Sequence, residues 1–144
     1  MEVKNQHYRQ VIEVGFKSAA FVNDIGITLL DCGPGWCESS VTILPRHLQH
    51  GGLVHAGVQS TIADHTAGAA ATTILAQGQF VVTAEFKINL LRAAKGDSLF
   101  CRAQVLKPGK LLIVLEAEVF VVSGTTKDFV SKTTATMSVM AFRS

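Results

Sequence analysis

The residues best able to do chemistry in this chain are one carboxylate, Asp64, and one histidine, His55, at opposite ends of a run of small and apolar residues. The run reads Val54-His55-Ala56-Gly57-Val58-Gln59-Ser60-Thr61-Ile62-Ala63-Asp64 and follows the paired glycines Gly51 and Gly52. From Gly57 to Ala76 there is no proline and alanine is abundant, so a long helix is the natural reading. The first turn of such a helix has N–H groups without intrahelical partners and a partial positive charge. It suits an anion or a polarised carbonyl oxygen. A carboxylate within an apolar helix is costly to bury unless it is paired or has a job, and proton transfer to or from water is the job a carboxylate does best.

Spacing constrains how these groups can cooperate. His55 and Asp64 are nine positions apart. On one helix they would lie roughly 180° apart around the axis and roughly 13 Å apart along it. If they share a site, a second copy of the chain must supply one of them. On Asp64's own side lie Gly57, Thr61, Gly68 and Ala71, a stripe small enough to admit another backbone or a slim substrate.

The elements that would position these groups form one module without repeats or linkers. Residues 6–22 read as an N-terminal helix with Val11, Val14, Ala19 and Val22 as its apolar contacts. Ile25 to Cys32 reads as a strand, Gly33-Pro34-Gly35 as a turn and Trp36 to Leu44 as the returning strand. A loop, Pro45 to Val54, leads into the central helix, which ends near Gly78. Four β-rich segments follow: Phe80–Leu91, Ser98–Leu106, Lys110–Ser123 and Phe129–Phe142. This order predicts an α+β domain with an antiparallel sheet over residues 1–144. In the strand after the helix, Val82, Ala84, Phe86, Ile88 and Leu90 alternate with Thr83, Glu85, Lys87 and Asn89. Thr83 is thus expected to point away from the apolar side.

Composition bounds the function. The chain has 144 residues, 48% of them hydrophobic and 17% charged, which favours one core and burial of surface between subunits. A net charge of +2 gives no footprint for nucleic acid. No uncharged run is long enough to span a membrane, and Met1 to Gln6 has no apolar leader, so no membrane association and a cytoplasmic location are expected. Cys32, Cys37 and Cys101 read as reduced, half-buried thiols, although Cys32 and Cys37 flank a turn and could face each other. No Cys-x-x-Cys or His-x-x-x-His pair exists, so no metal site is expected.

The segment Gln49-His50-Gly51-Gly52-Leu53-Val54-His55-Ala56-Gly57, followed by Asp64, resembles the signature of the phenylacetate-pathway (PaaI-like) branch of the hotdog-fold acyl-CoA thioesterases. That branch usually reads Asn-x-x-Gly-x-x-His-Gly-Gly, with an acid nine residues after the histidine. Val82 to Asp97 is similar to the family's next strand and its Arg-Pro-Ala-x-x-Gly turn. The resemblance covers about residues 20 to 140 and implies a hotdog fold, an antiparallel sheet wrapped around one long helix. It implies thioester hydrolysis without a cofactor, the CoA thioester being substrate, by a homodimer or homotetramer with its site between subunits.

Carried over position by position, the resemblance makes Asp64 the general base, or else the direct nucleophile, and makes the Ala56 N–H the donor to the thioester carbonyl. His55 would orient that turn or bond the carbonyl region; alternatively it ties down loop backbone. Gln49 stands where the family has asparagine, Ala56 where it has glycine and Ala93 where it has proline. Thr83 falls where a serine or threonine helps hold the attacking water, and is otherwise an ordinary β-branched strand residue. Gly57, Arg92 and Lys95 would meet the substrate and its CoA phosphates, against a reading of the cations as solvated charge. His65 reads as packing or as a partner to the site, and His7, His47 and His50 as surface or loop residues. Two other functions stay open: a non-catalytic acyl-CoA or acyl-carrier binding protein, and a hotdog hydratase. Hydratases need an Asp-x-x-x-x-His pair, whereas Asp64 and His65 are adjacent.

Overall fold

The computed structural model describes residues 1–143. Two short helices, α1 (Tyr8–Ser18) and α2 (Ala20–Ile25), precede a hairpin of β1 (Thr28–Gly33) and β2 (Trp36–Thr42). A 3-10 turn (Pro45–His47) leads to the long helix α3 (Ala56–Thr72). Four strands follow: β3 (Gln79–Leu90), β4 (Ser98–Pro108), β5 (Leu112–Ser123) and β6 (Thr126–Ala141). All six strands pair antiparallel in the order β1-β2-β4-β5-β6-β3, so β3 is an edge strand although it comes third in the chain.

The sheet wraps around α3. The helix buries Ile62, Ala63, Thr66, Ala67, Ala70 and Ala71. The alanines let it lie close to the strands, where Leu99, Ile113, Leu115, Val119 and Met137 are fully buried. Burial of each large side chain contributes about 1.5–3 kcal/mol. Ser39 and Thr66 join sheet to helix inside this core through a 2.6 Å hydroxyl pair. Among the described residues no helix is long and apolar enough to cross a membrane.

Three expectations need correction. The N-terminal helix is two helices, because Ala19 is extended (ψ 100°) and Asn23 Nδ2 caps the carbonyls of Lys17 and Ala19. Its packed residues are Ile12, Phe16 and Val22, whereas Val11 and Val14 are exposed. The central helix stops at Thr72, short of Ala76. There Thr73 Oγ1 donates to the Ala70 carbonyl and accepts the Gly35 N–H, both at 2.7 Å, turning the chain toward the buried Ile74 and Leu75. Finally, β3 does not alternate cleanly. A bulge between Thr83 and Glu85 leaves Ala84 unpaired, with Thr83 opposite Met137 and Phe86 opposite Ala135. Met137 and Ala135 both face the core, so Thr83 shares the inner side with Phe86 rather than pointing away.

Candidate active site

The start of α3 is held by a pinned loop. His47 is 1% exposed. Its Nδ1 accepts the Leu44 N–H at 2.9 Å, which places the ring proton on Nε2, donating to the Ile25 carbonyl at 2.7 Å. The His47 carbonyl takes the His55 N–H (2.8 Å), and the Val54 N–H reaches the Ala94 carbonyl (2.9 Å). Between these ties, Gly52 turns with φ +81° and the Gln49 side chain accepts the Gly51 N–H.

His55 is the N-cap of α3, with Nδ1 accepting the Gly57 N–H at 2.8 Å. A Cβ on residue 57 would lie 3.0 Å from that nitrogen, closer than ordinary contact, so glycine there leaves the cap room. Because Nδ1 accepts, the His55 proton sits on Nε2. The cap consumes the Gly57 N–H, which leaves the Ala56 N–H as the donor at the helix start. Ala56 lies in the wall of a cavity of about 470 Å³, together with Gln49, His55, Gln59, Leu90 and Arg92.

Asp64 lies elsewhere. It is half-buried and lines a separate cavity of about 370 Å³ with Phe16, His65, Gly68, Thr83 and Met137. Thr83 Oγ1 donates to Asp64 Oδ1 at 2.7 Å, which leaves Oδ2 for another donor. His65 packs edge-on to Phe16 with ring centroids 4.5 Å apart. Burial holds its pKa below the ordinary histidine value, against the opposing pull of Asp64.

One chain thus gathers Gln49, His55, Ala56 and Arg92 at one cavity and Asp64 with Thr83 at another. Lys95 is exposed on the turn after β3, and Gly57 serves the cap. Two further residues, His47 and Gln59, take part in this region. His47 passes for a loop histidine, and nothing in its neighbours marks it as buried. Gln59 had a signal: it is a long polar side chain three residues after Ala56, on the same side of an apolar helix. Among the described residues no group of three His, Cys, Asp or Glu side chains is placed to hold a metal ion.

A six-stranded antiparallel sheet around one helix is the hotdog arrangement, and the chain belongs to the thioesterase superfamily, whose family model matches residues 51–127. It is a hotdog-fold thioester hydrolase. Human acyl-coenzyme A thioesterase 13 is 29% identical over 114 residues, covering 78% of this chain and 81% of that one. The crystal structure of a thioesterase family protein from Silicibacter pomeroyi superposes with a TM-score of 0.91 at 29% identity, covering 94% of this chain and 99% of the other. The PaaI protein of E. coli, from the phenylacetic acid degradation operon, shares the fold with a TM-score of 0.83 at 22% identity over 96% of each chain.

Proposed function

We propose that this protein hydrolyses acyl-CoA thioesters in the cytoplasm, with Asp64 as general base and the Ala56 N–H as oxyanion donor, at sites each shared by two copies of the chain. The family sets the chemistry as thioester hydrolysis, and the human relative is named for acyl-CoA. The observation that carries the assignment of the base is the 2.7 Å bond from Thr83 to Asp64. It orients the carboxylate and leaves one oxygen for a water.

In this reaction the water oxygen attacks the carbonyl carbon as its proton passes to Asp64 Oδ2. The carbonyl oxygen becomes an oxyanion and strengthens its bond from the Ala56 N–H, supported by the positive end of α3. Collapse breaks the C–S bond, and the proton on Asp64 passes to the leaving thiolate. The products are the free acid and CoA, and no cofactor is required.

The two halves line different cavities of one chain, so a complete site takes Ala56 from one copy and Asp64 from another. The long edge strand β3, with Val82, Phe86 and Leu90 exposed, supplies an unpaired ladder for a second copy. Arg92, on the wall of the Ala56 cavity, is the cation placed for the CoA phosphates, and Lys95 lies farther out on the same turn.

Thiol release from a panel of CoA esters tests this function. The parent chain is expected to turn over at least one ester, and Asp64→Asn to lose about 100-fold or more while keeping the parent fold. Residual turnover within about tenfold of the parent would remove Asp64 from the role of base. Saturable CoA-ester binding with no release from any ester would instead make this a binding protein.

A further inference from the structure

The cavity beside Asp64 continues along the central helix as a groove. Asp64, Gly68 and Thr72 follow one another at helical spacing on one face of α3, and all three line it. Asp64 and Thr72 are eight positions apart, so this wall runs for about 12 Å, the length of an extended chain of about eight to ten carbons. β3 leaves the end of α3 and runs back beside it. Phe80 therefore stands at the Thr72 end and Thr83, bonded to Asp64, at the other. α1 forms a further wall with Val11, Gly15 and Phe16. Among the described residues the groove is lined by no lysine, arginine or glutamate. The Thr72 hydroxyl is already spent on the Gly68 carbonyl, at 2.9 Å. Away from Asp64 and Thr83 the groove suits an apolar occupant.

Two of its residues are glycines within helices, Gly15 in α1 and Gly68 in α3. Glycine there weakens a helix relative to alanine, and a close approach of other backbone or side chains is its usual reason. Neither glycine has that reason, because a Cβ at either position would meet no atom within 4 Å. Two helices thus leave the same groove open where the packing of this chain does not require it. A thioester whose carbonyl lies at Asp64 sends its CoA toward Arg92, in the wall of the other cavity, and its acyl chain the opposite way. We infer that the groove takes a straight, medium-length acyl chain of about eight to ten carbons, and that Gly68 and Gly15 set how far along α3 the chain can reach. This rests on the acyl-CoA reading above and names the acyl class for it. Gly68 is one helical turn, about 6 Å, beyond Asp64, so a bulky side chain there leaves room for a short acyl group only.

The test is kcat/KM on butanoyl-, octanoyl- and decanoyl-CoA. The parent is expected to favour the two longer esters over butanoyl-CoA by about tenfold or more, since each buried methylene is worth about fourfold. Gly68→Leu should lower that ratio about tenfold, and Gly15→Leu, on the α1 wall, should lower it as well. Gly68→Ala should melt at or above the parent temperature, because alanine suits a helix better and meets no neighbour. A parent ratio near one overturns the inference, and so does a folded leucine variant that keeps the parent ratio. A lowered melting temperature in Gly68→Ala also overturns it, because the glycine then serves close packing. If Gly68→Leu does not fold, the ratio in Gly15→Leu decides. If the parent hydrolyses no CoA ester, the hydrolytic reading fails separately. Chain length is then read from calorimetric binding of the non-hydrolysable thioethers S-decyl-CoA and S-butyl-CoA. The decyl compound should bind about tenfold tighter or more, and Gly68→Leu should remove the difference. Equal affinities in the parent would overturn the inference.

Discussion

Thr83 Oγ1 and Asp64 Oδ1, 2.7 Å apart, tie the middle of the central helix to the edge strand of the sheet. The pair exists because the bulge at Ala84 puts Thr83 on the inner side of β3, opposite Met137. Removing the hydroxyl without changing shape should free the carboxylate to rotate. Thr83→Val is expected to lower kcat by about 10- to 150-fold, the range of a hydrogen bond to a charged group worth about 1.5–3 kcal/mol. KM should change little, and Thr83→Ser should retain most activity. Steady-state kinetics on one CoA ester checks all three.

The Ala56 N–H can be tested without touching a side chain that binds anything. Ala56→Gly keeps the donor and should be tolerated. Ala56→Pro deletes it and should cost about 100- to 1,000-fold in rate, as loss of one oxyanion donor does. Proline is favoured at the first position of a helix, so α3 should persist. A folded Ala56→Pro protein with full activity would remove the helix start from the mechanism.

Sharing of the site between copies has its own signature. Chains carrying Asp64→Ala and chains carrying Ala56→Pro should each be inactive. Mixed and exchanged, they should recover activity in hybrid assemblies, because one site in each hybrid pair is then intact. Exchange verified by mass spectrometry without recovery would place both groups at one site of one chain.

His65 should make the fold acid-sensitive. Its pKa is held below the ordinary value of 6.5 by burial. The unfolded chain therefore binds the proton more readily than the folded one. Stability is full above about pH 6.5 and falls as pH drops from there through the lowered folded value. Replacing the imidazole with a group that does not titrate, as in His65→Gln, should flatten the melting temperature between pH 7.5 and 5.5 relative to the parent.

Cys32 and Cys37 face each other across the β1–β2 hairpin, and with Cys101 all three are free and buried. Burial raises all three thiol pKa values, so little thiolate forms at neutral pH. A thiol reagent should find almost no reactive cysteine in the native protein and three after denaturation. The colour that develops in a thiol-release assay then comes from CoA alone.

The helix start was legible in the sequence because its signals are local. Gly51, Gly52 and Gly57, then an alanine-rich run without proline, specify a loop and a helix whatever surrounds them. The opposed placement of His55 and Asp64 also follows from helical geometry alone, and the two do line different cavities. The strand segments and their antiparallel character were readable from alternation and turn residues. The inward turn of Thr83 was not. Alternation in the sequence assumes a regular ladder, and a bulge is decided by how β3 registers against β6, some fifty residues later in the chain. The same holds for His47, whose two partners, Leu44 and Ile25, meet it only once α2 and the loop are packed. Short-range propensity and spacing are enough to say which groups can do chemistry and which helix presents them. Which face each group meets, and what it touches there, depends on strand register and burial, and these are set by contacts between segments far apart in the chain.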